Sequence, residues 1–141
     1  MKKNYSPKWV ASKQTRKQRK YRAHAPLHRR QVMVSAHLDK TLKKEYKKRS
    51  MPLRVGDEVI VMRGSFRKKG GKVSVVDLKK LKIQVEGVKA KKISGQEVSA
   101  FIDPSNVMIT KLNTEDKFRT KFMKVGQKKS KTVKSGVIIQ G

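Results

Sequence analysis

The ten acidic residues of this chain all lie between Asp39 and Asp116, and the segments on either side carry positive charge alone. Residues 1–38 hold 11 Lys or Arg, residues 117–141 hold 8, and the mixed stretch between them holds 19. A run of like charges with few apolar residues cannot bury enough surface to offset the entropy of ordering. The pattern predicts a mixed-charge body with two cationic arms. At a formal charge of +28 and a pI near 10.8 the molecule repels itself unless a polyanion supplies the counter-charge. Nucleic acid fits that footprint. A bilayer fits it poorly, since no apolar run approaches the ~18 residues needed to span one. No basic amphipathic helix is long enough to anchor at a membrane interface either. The lack of cysteine excludes disulfides and thiolate metal sites, and suits a cytoplasmic protein.

Four segments follow from the patterning. Residues 1–38 form the basic N-terminal arm, whose Arg16, Lys17, Arg19, Lys20 and Arg22 crowd around Tyr21, with Trp9 upstream. Aromatic rings among cations are what stacking on bases and neutralising phosphates require; the alternative is a solubilising tail. Residues 39–52 read as a short helix capped by Asp39, with Leu42 and Tyr46 sharing one face, and a connector ending at Pro52. Residues 53–112 change to strand signals. Glu58 to Met62 is a mostly apolar run, and Lys72 to Val75 and Lys82 to Glu86 alternate with period two. Val98 to Ile102 and Val107 to Ile109 are weaker strands, and turn residues separate all of these. Several short strands in about 60 residues indicate a small antiparallel barrel or sandwich. Its 23 Val, Ile, Leu, Met and Phe residues make a modest core. In residues 113–141, Asn113 or Thr114 is expected to cap a helical turn or two, placing Phe118 and Phe122 on one face ahead of a basic tail.

The chemistry concentrates between Val55 and Val76, which reads as strand, basic loop, strand. Arg63, Arg67, Lys68, Lys69 and Lys72 gather five charges at one hairpin tip, with Phe66 among them. Such a tip can follow a phosphate backbone while its ring meets a sugar or base, although Phe66 serves equally well as core. Gly64 and Gly71 permit either a positive φ or close approach to another backbone.

Gly56-Asp57-x-Val59-x-Val61-Met62-Arg63-Gly64-x-Phe66 and Gly71-Lys72-Val73 resemble the KOW motif. In the same order come Arg16 to Lys20, Ala25 to Arg30, Ser35 to Leu38, Arg49 to Pro52, Val85 to Val88 and Pro104 to Thr110. Together they resemble the large-subunit ribosomal protein family L24, called L26 in eukaryotes, in its archaeal form, over residues 5 to 122. The resemblance implies a mainly β fold: a small SH3-like antiparallel barrel carrying the KOW motif, an extended basic arm, short helices and a basic C-terminal tail. It implies a constituent of the large subunit that binds rRNA early in assembly, near the nascent-peptide exit tunnel, beside neighbouring ribosomal proteins. Carried over to this chain, the implied rRNA contacts are Arg16, Lys17, Arg19, Lys20, Tyr21, Arg22, His28, Arg29 and Arg30 in the arm. Arg63, Gly64, Phe66, Arg67, Lys68, Lys69, Gly71 and Lys72 follow in the loop, then Ser105 and Asn106. Two positions depart from the family: Lys68 stands where a glycine is frequent, and Asp103 where histidine usually precedes Pro-Ser.

Other classes fit less well. An enzyme is not expected: His24, His28 and His37 have no acid before Asp39 to orient them, and no Walker-type phosphate loop is present. No cofactor, metal, small-molecule substrate or homo-oligomer is expected. KOW-bearing transcription factors generally add a second folded domain, whereas this barrel has only cationic arms. A nonspecific architectural binder would not prefer folded rRNA to duplex DNA.

Overall fold

The computed structural model describes residues 5–9 and 11–119. Five strands overlap the expected segments: β3 Glu58–Val61 in the apolar run, β4 Gly70–Asp77 and β5 Lys82–Val85 over the two alternating stretches, and β7 Glu97–Ser99 and β8 Val107–Lys111 at the weaker ones. Three were not expected: β1 Ser35–Leu38, β2 Ser50–Pro52 and β6 Lys89–Lys91. β1 lies within the charged arm, yet its Ala36 and Leu38 alternate inward with Ser35 and His37. The sheet therefore draws strands from both sides of Asp39 and of Leu53.

Six strands form one sheet in the order β2-β1-β8-β3-β4-β5, and β6 pairs with β7 in a separate hairpin. All neighbours are antiparallel except β1 and β8, which run parallel through His37–Met108 and Leu38–Ile109. That pair corrects the expectation of a purely antiparallel barrel. It is possible because about 70 residues separate the two strands, far more than a parallel crossover needs. The sheet is open, with β2 and β5 at its edges. β4 pairs with β3 through Gly70 to Lys72 and with β5 through Val73 to Asp77, and its ladder to β5 is irregular between Val73 and Val75. Such irregularities bend a strand and raise its twist. At the β5 edge, Ile83 and Ile102 exchange two backbone hydrogen bonds of 3.0 and 2.9 Å, just before the chain enters β8.

The core is aliphatic. Val34, Leu38, Met51, Val59, Val73, Ile83, Val107 and Ile109 are buried together, with Leu42, Tyr46 and Phe66 packed at the margin. Leu42 and Tyr46 come from α3 (Lys40–Tyr46), so their shared face docks on the sheet as their four-residue spacing anticipates. Two helices precede the sheet, α1 (Thr15–His24) and α2 (Leu27–Met33).

Asn113 does not cap a helix. Its side-chain oxygen accepts the Glu115 N–H at 3.0 Å, and Asp116 accepts the N–H of Phe118 at 2.8 Å, opening a helical turn over residues 117–119. The expected pairing of Phe118 with Phe122, and the rest of the basic tail, lie outside the described residues.

Candidate nucleic-acid interface

The β3–β4 loop, the turn before β8 and the N-terminal arm meet at one end of the sheet. The Met62 N–H, at the start of the loop, donates to the Asn106 carbonyl at 2.8 Å. Asn106 ends a 3-10 turn, Pro104–Asn106, that leads directly into β8. An open groove of about 360 Å³ runs between this turn and the arm, lined by Gln18, Tyr21, Arg22, Ser35, Leu81 and Ser105 among others.

Backbone hydrogen bonds hold the loop in a fixed shape. Lys68 N–H donates to Val61 and Val61 N–H to Lys69, each at 2.8 Å, while Arg67 N–H reaches Gly64 at 3.1 Å. The two glycines act in different ways. Gly64 has φ +90° and open space around it. Gly71 needs no positive φ; it lies in β4, where a Cβ would run into the Glu86 carbonyl and sit 3.1 Å from Val85 Cγ1. Lys68 has φ +69°, so it adopts the left-handed conformation that a glycine there would take. The departure at Lys68 preserves the backbone and adds a charge. Arg63, Arg67, Lys68, Lys69 and Lys72 are exposed, and none of them joins an ion pair among the described residues. Phe66 is half-buried against the core, with the Lys69 ammonium 5.6 Å from its ring centroid. Its ring therefore supports the loop from beneath.

The arm is helical rather than extended. α1 buries no residue, so its position depends on a few side chains. Tyr21 packs between Tyr5 and Trp9, with ring centroids 5.1 and 5.0 Å away, and shares a 2.9 Å hydrogen bond with the Tyr5 hydroxyl. That hydrogen bond raises the pKa of Tyr5 and lowers that of Tyr21. Arg29 Nε donates to Tyr5 at 3.1 Å. Trp9 and Tyr21 thus cover ring faces on one another, which the reading of free stacking platforms did not anticipate. Arg30 is also committed: it donates to the carbonyls of Ala23, Ala25 and Lys79, at 2.5, 2.9 and 3.2 Å. It straps the junction of α1 and α2 to the β4–β5 turn. Arg16, Lys17, Arg19, Lys20, Arg22 and His28 remain exposed.

Of the residues after β7, Ser105 is exposed and Asn106 half-buried. Asp103, the acid on this surface, accepts the Lys82 ammonium at 2.6 Å, so its charge is locally balanced.

Sequence reading missed one polar cluster altogether. Asp57 is fully buried and pairs in bidentate fashion with the buried Arg119, 62 residues away, at 2.5 and 2.8 Å. Asp57 also accepts the N–H groups of Arg54 and Asn113, each at 2.9 Å. Gly56-Asp57 was visible only as part of a motif, and nothing local to Arg119 marks it as a partner.

A family model described as ribosomal proteins L26 (eukaryotic) and L24p (archaeal) matches residues 12–125. The chain belongs to this family. As a family member it is a structural constituent of the large ribosomal subunit, of a non-enzymatic kind, associated with rRNA and other ribosomal proteins. No helix among the described residues is long and apolar enough to cross a membrane.

Proposed function

We propose that this protein binds large-subunit rRNA directly through the sheet end where the arm, the β3–β4 loop and the 104–106 turn converge. The observation that carries this reading is the fixed loop whose five exposed cations join no ion pair among the described residues, linked to the turn by the Met62–Asn106 hydrogen bond. Exposed, unpaired cations on a rigid scaffold bind phosphates and release counterions. Arg63, Arg67, Lys68, Lys69 and Lys72 act as phosphate contacts of the loop, and Arg16, Lys17, Arg19, Lys20, Arg22 and His28 as those of the arm. Ser105 and Asn106 offer hydrogen-bonding groups between them. Gly64 and Gly71 shape the loop, Phe66 supports it, and Tyr21, Arg29 and Arg30 position the arm.

The irregular β4–β5 ladder, the Ile83–Ile102 bridge and the sequence motif support reading the six-stranded sheet as a KOW domain of the SH3-like kind. Family resemblance supports the archaeal type, entry early in subunit assembly, a place near the nascent-peptide exit tunnel and a cytoplasmic, monomeric component.

The test is binding of the full chain to protein-free large-subunit rRNA and to duplex DNA at matched salt. A clear preference for the rRNA is expected. In the Arg67→Ala/Lys69→Ala double variant, affinity and salt slope should fall together while stability changes by about 1 kcal/mol or less. Wild-type affinity in that variant would remove the loop from the interface; equal affinity for duplex DNA would overturn the reading as a whole.

A further inference from the structure

We propose that α3 and the residues that follow it form a second RNA-binding surface, at the other end of the sheet, so that this protein holds two RNA segments at once. The inference rests on the rRNA-binding reading above.

Residues 40–49 contain Lys40, Lys43, Lys44, Lys47, Lys48 and Arg49 against a single acid, Glu45. Leu42 and Tyr46 face the core, which fixes the rotation of the helix. Lys40 and Lys44, four apart, then stand on the opposite side, and both are exposed, as are Lys47 and Arg49. None of Lys40, Lys43, Lys44, Lys47 and Arg49 joins an ion pair among the described residues. Like charges four apart destabilise a helix, so folding alone gives no reason to gather them here.

Lys47 adds an independent observation. It follows the last turn of α3 with φ +50°, in the left-handed conformation that glycine or asparagine usually takes after a helix. A side chain is retained where its absence would relieve strain. The same holds for Lys68, which puts a cation at a left-handed position in the loop of the first surface. Backbone strain of this kind, held in place by its surroundings, is characteristic of functional positions.

The two surfaces are separate. The first loop follows the C-terminal end of β3, where Val61 pairs with Val107 at the start of β8. α3 follows the C-terminal end of β1, which runs parallel to β8 and reaches Ile109, and the Asp39 N–H donates to the Ile109 carbonyl at 2.9 Å. They therefore lie at opposite ends of β8, whose five residues span about 13 Å. A polyphosphate suits the second surface better than a protein does. Its only large apolar side chains face inward, and the centres of protein interfaces are depleted in charge.

The chain has no cysteine, so single cysteines can carry a tethered iron chelate without ambiguity. Full-length Lys44→Cys and Arg67→Cys proteins, each bound to protein-free large-subunit rRNA, should cut the RNA by hydroxyl radicals in two separate stretches. Cleavage from Arg67→Cys alone, or cleavage by both at the same nucleotides, overturns the second surface and leaves the first intact. No cleavage from either position overturns both readings. Lys47→Gly separates binding from folding, because it relieves the strained backbone while removing the charge. It should melt higher than wild type yet bind about fivefold more weakly near 0.1 M salt, with a salt slope smaller by about 0.7 to 0.9. A higher melting temperature with unchanged affinity and slope would mean that Lys47 is merely solvated, against the proposal.

Discussion

Arg119 closes a two-pronged ion pair on Asp57 in the interior of this protein, and no buried side-chain polar atom of that pair lacks a hydrogen-bond partner. Besides Asp57, the guanidinium donates to the carbonyls of Asn113 and Pro52, at 3.1 and 3.2 Å. The cluster ties the segment after β8 to the end of β2 and the entry to β3. Arg54 and Asp116 form a second ion pair between the same segments, at the surface. Arg119→Ala leaves a buried carboxylate with two backbone N–H groups and no cation, which should cost about 3 to 5 kcal/mol. Arg119→Lys should rescue little, since an ammonium cannot reproduce the planar fork. Thermal unfolding checks both, and a loss below about 1 kcal/mol for Arg119→Ala would show that the pair is dispensable.

Gly71 and Gly64 should respond to substitution for different reasons. Gly71→Ala drives a methyl group into the Glu86 carbonyl across the β4–β5 ladder, so strands must separate. Gly64→Ala meets no atom within 4 Å and costs only the strain of a positive φ, about 1 kcal/mol. Gly71→Ala should therefore be the more destabilising of the two by chemical denaturation. The reverse order would mean that the β4–β5 contact relaxes freely.

Much of this was legible in the sequence, and the parts that were not share a cause. β4 and β5 are legible because apolar and polar residues alternate along them, and β3 and β8 because short apolar runs stand between turn residues. β1 is not, because its alternating Ala36 and Leu38 sit inside a cationic arm, and β2, only three residues long, is too short to show a period. The loop cations were legible because solvent exposure leaves residue type as the whole signal. Phe66 was ambiguous for the same reason: a ring in a basic loop is identical in sequence whether it faces RNA or core. The ring packing of Tyr21 was not legible because its neighbours in space, Tyr5 and Trp9, lie 16 and 12 residues away. Asp57 and Arg119 were invisible as a pair, since 62 residues of chain separate them.

The β4–β5 turn should be sensitive to acid. Asp77 accepts the N–H groups of Lys79 and Lys80 at 2.9 and 3.0 Å. Those bonds, that from Lys80 foremost, lower its pKa below the ordinary carboxylate value. A folded-state pKa below the unfolded one contributes stability that is fully present above the unfolded value, near 4, and is lost as pH falls through the folded value. The stability gap between wild type and Asp77→Ala should therefore be widest near neutral pH and shrink below about pH 4. A gap that stays constant from pH 7 to 2.5 would show that the carboxylate charge contributes nothing to this turn.

The arm should contribute electrostatics more than stability. α1 buries no residue, and an isolated helix of ten residues is marginal in water. Its attachment rests on the Tyr5–Tyr21–Trp9 stack and on the Arg30 strap, whereas Val34 and the strand after it belong to the core. A variant lacking residues 1–31 keeps Val34 and β1, so the sheet should still fold and melt cooperatively. It lacks all 11 cations of the arm, and every phosphate left without its cation lowers the slope of log K against log salt by about 0.7 to 0.9. The slope for rRNA should drop by several units while the preference for rRNA over duplex DNA, set by the remaining scaffold, is retained. In the free full-length protein, amides of α1 should exchange with solvent faster than those of β8, whose strand is paired on both sides. Truncation that leaves the salt slope unchanged would mean that the arm's cations do not meet phosphates, and that its charge serves solubility alone.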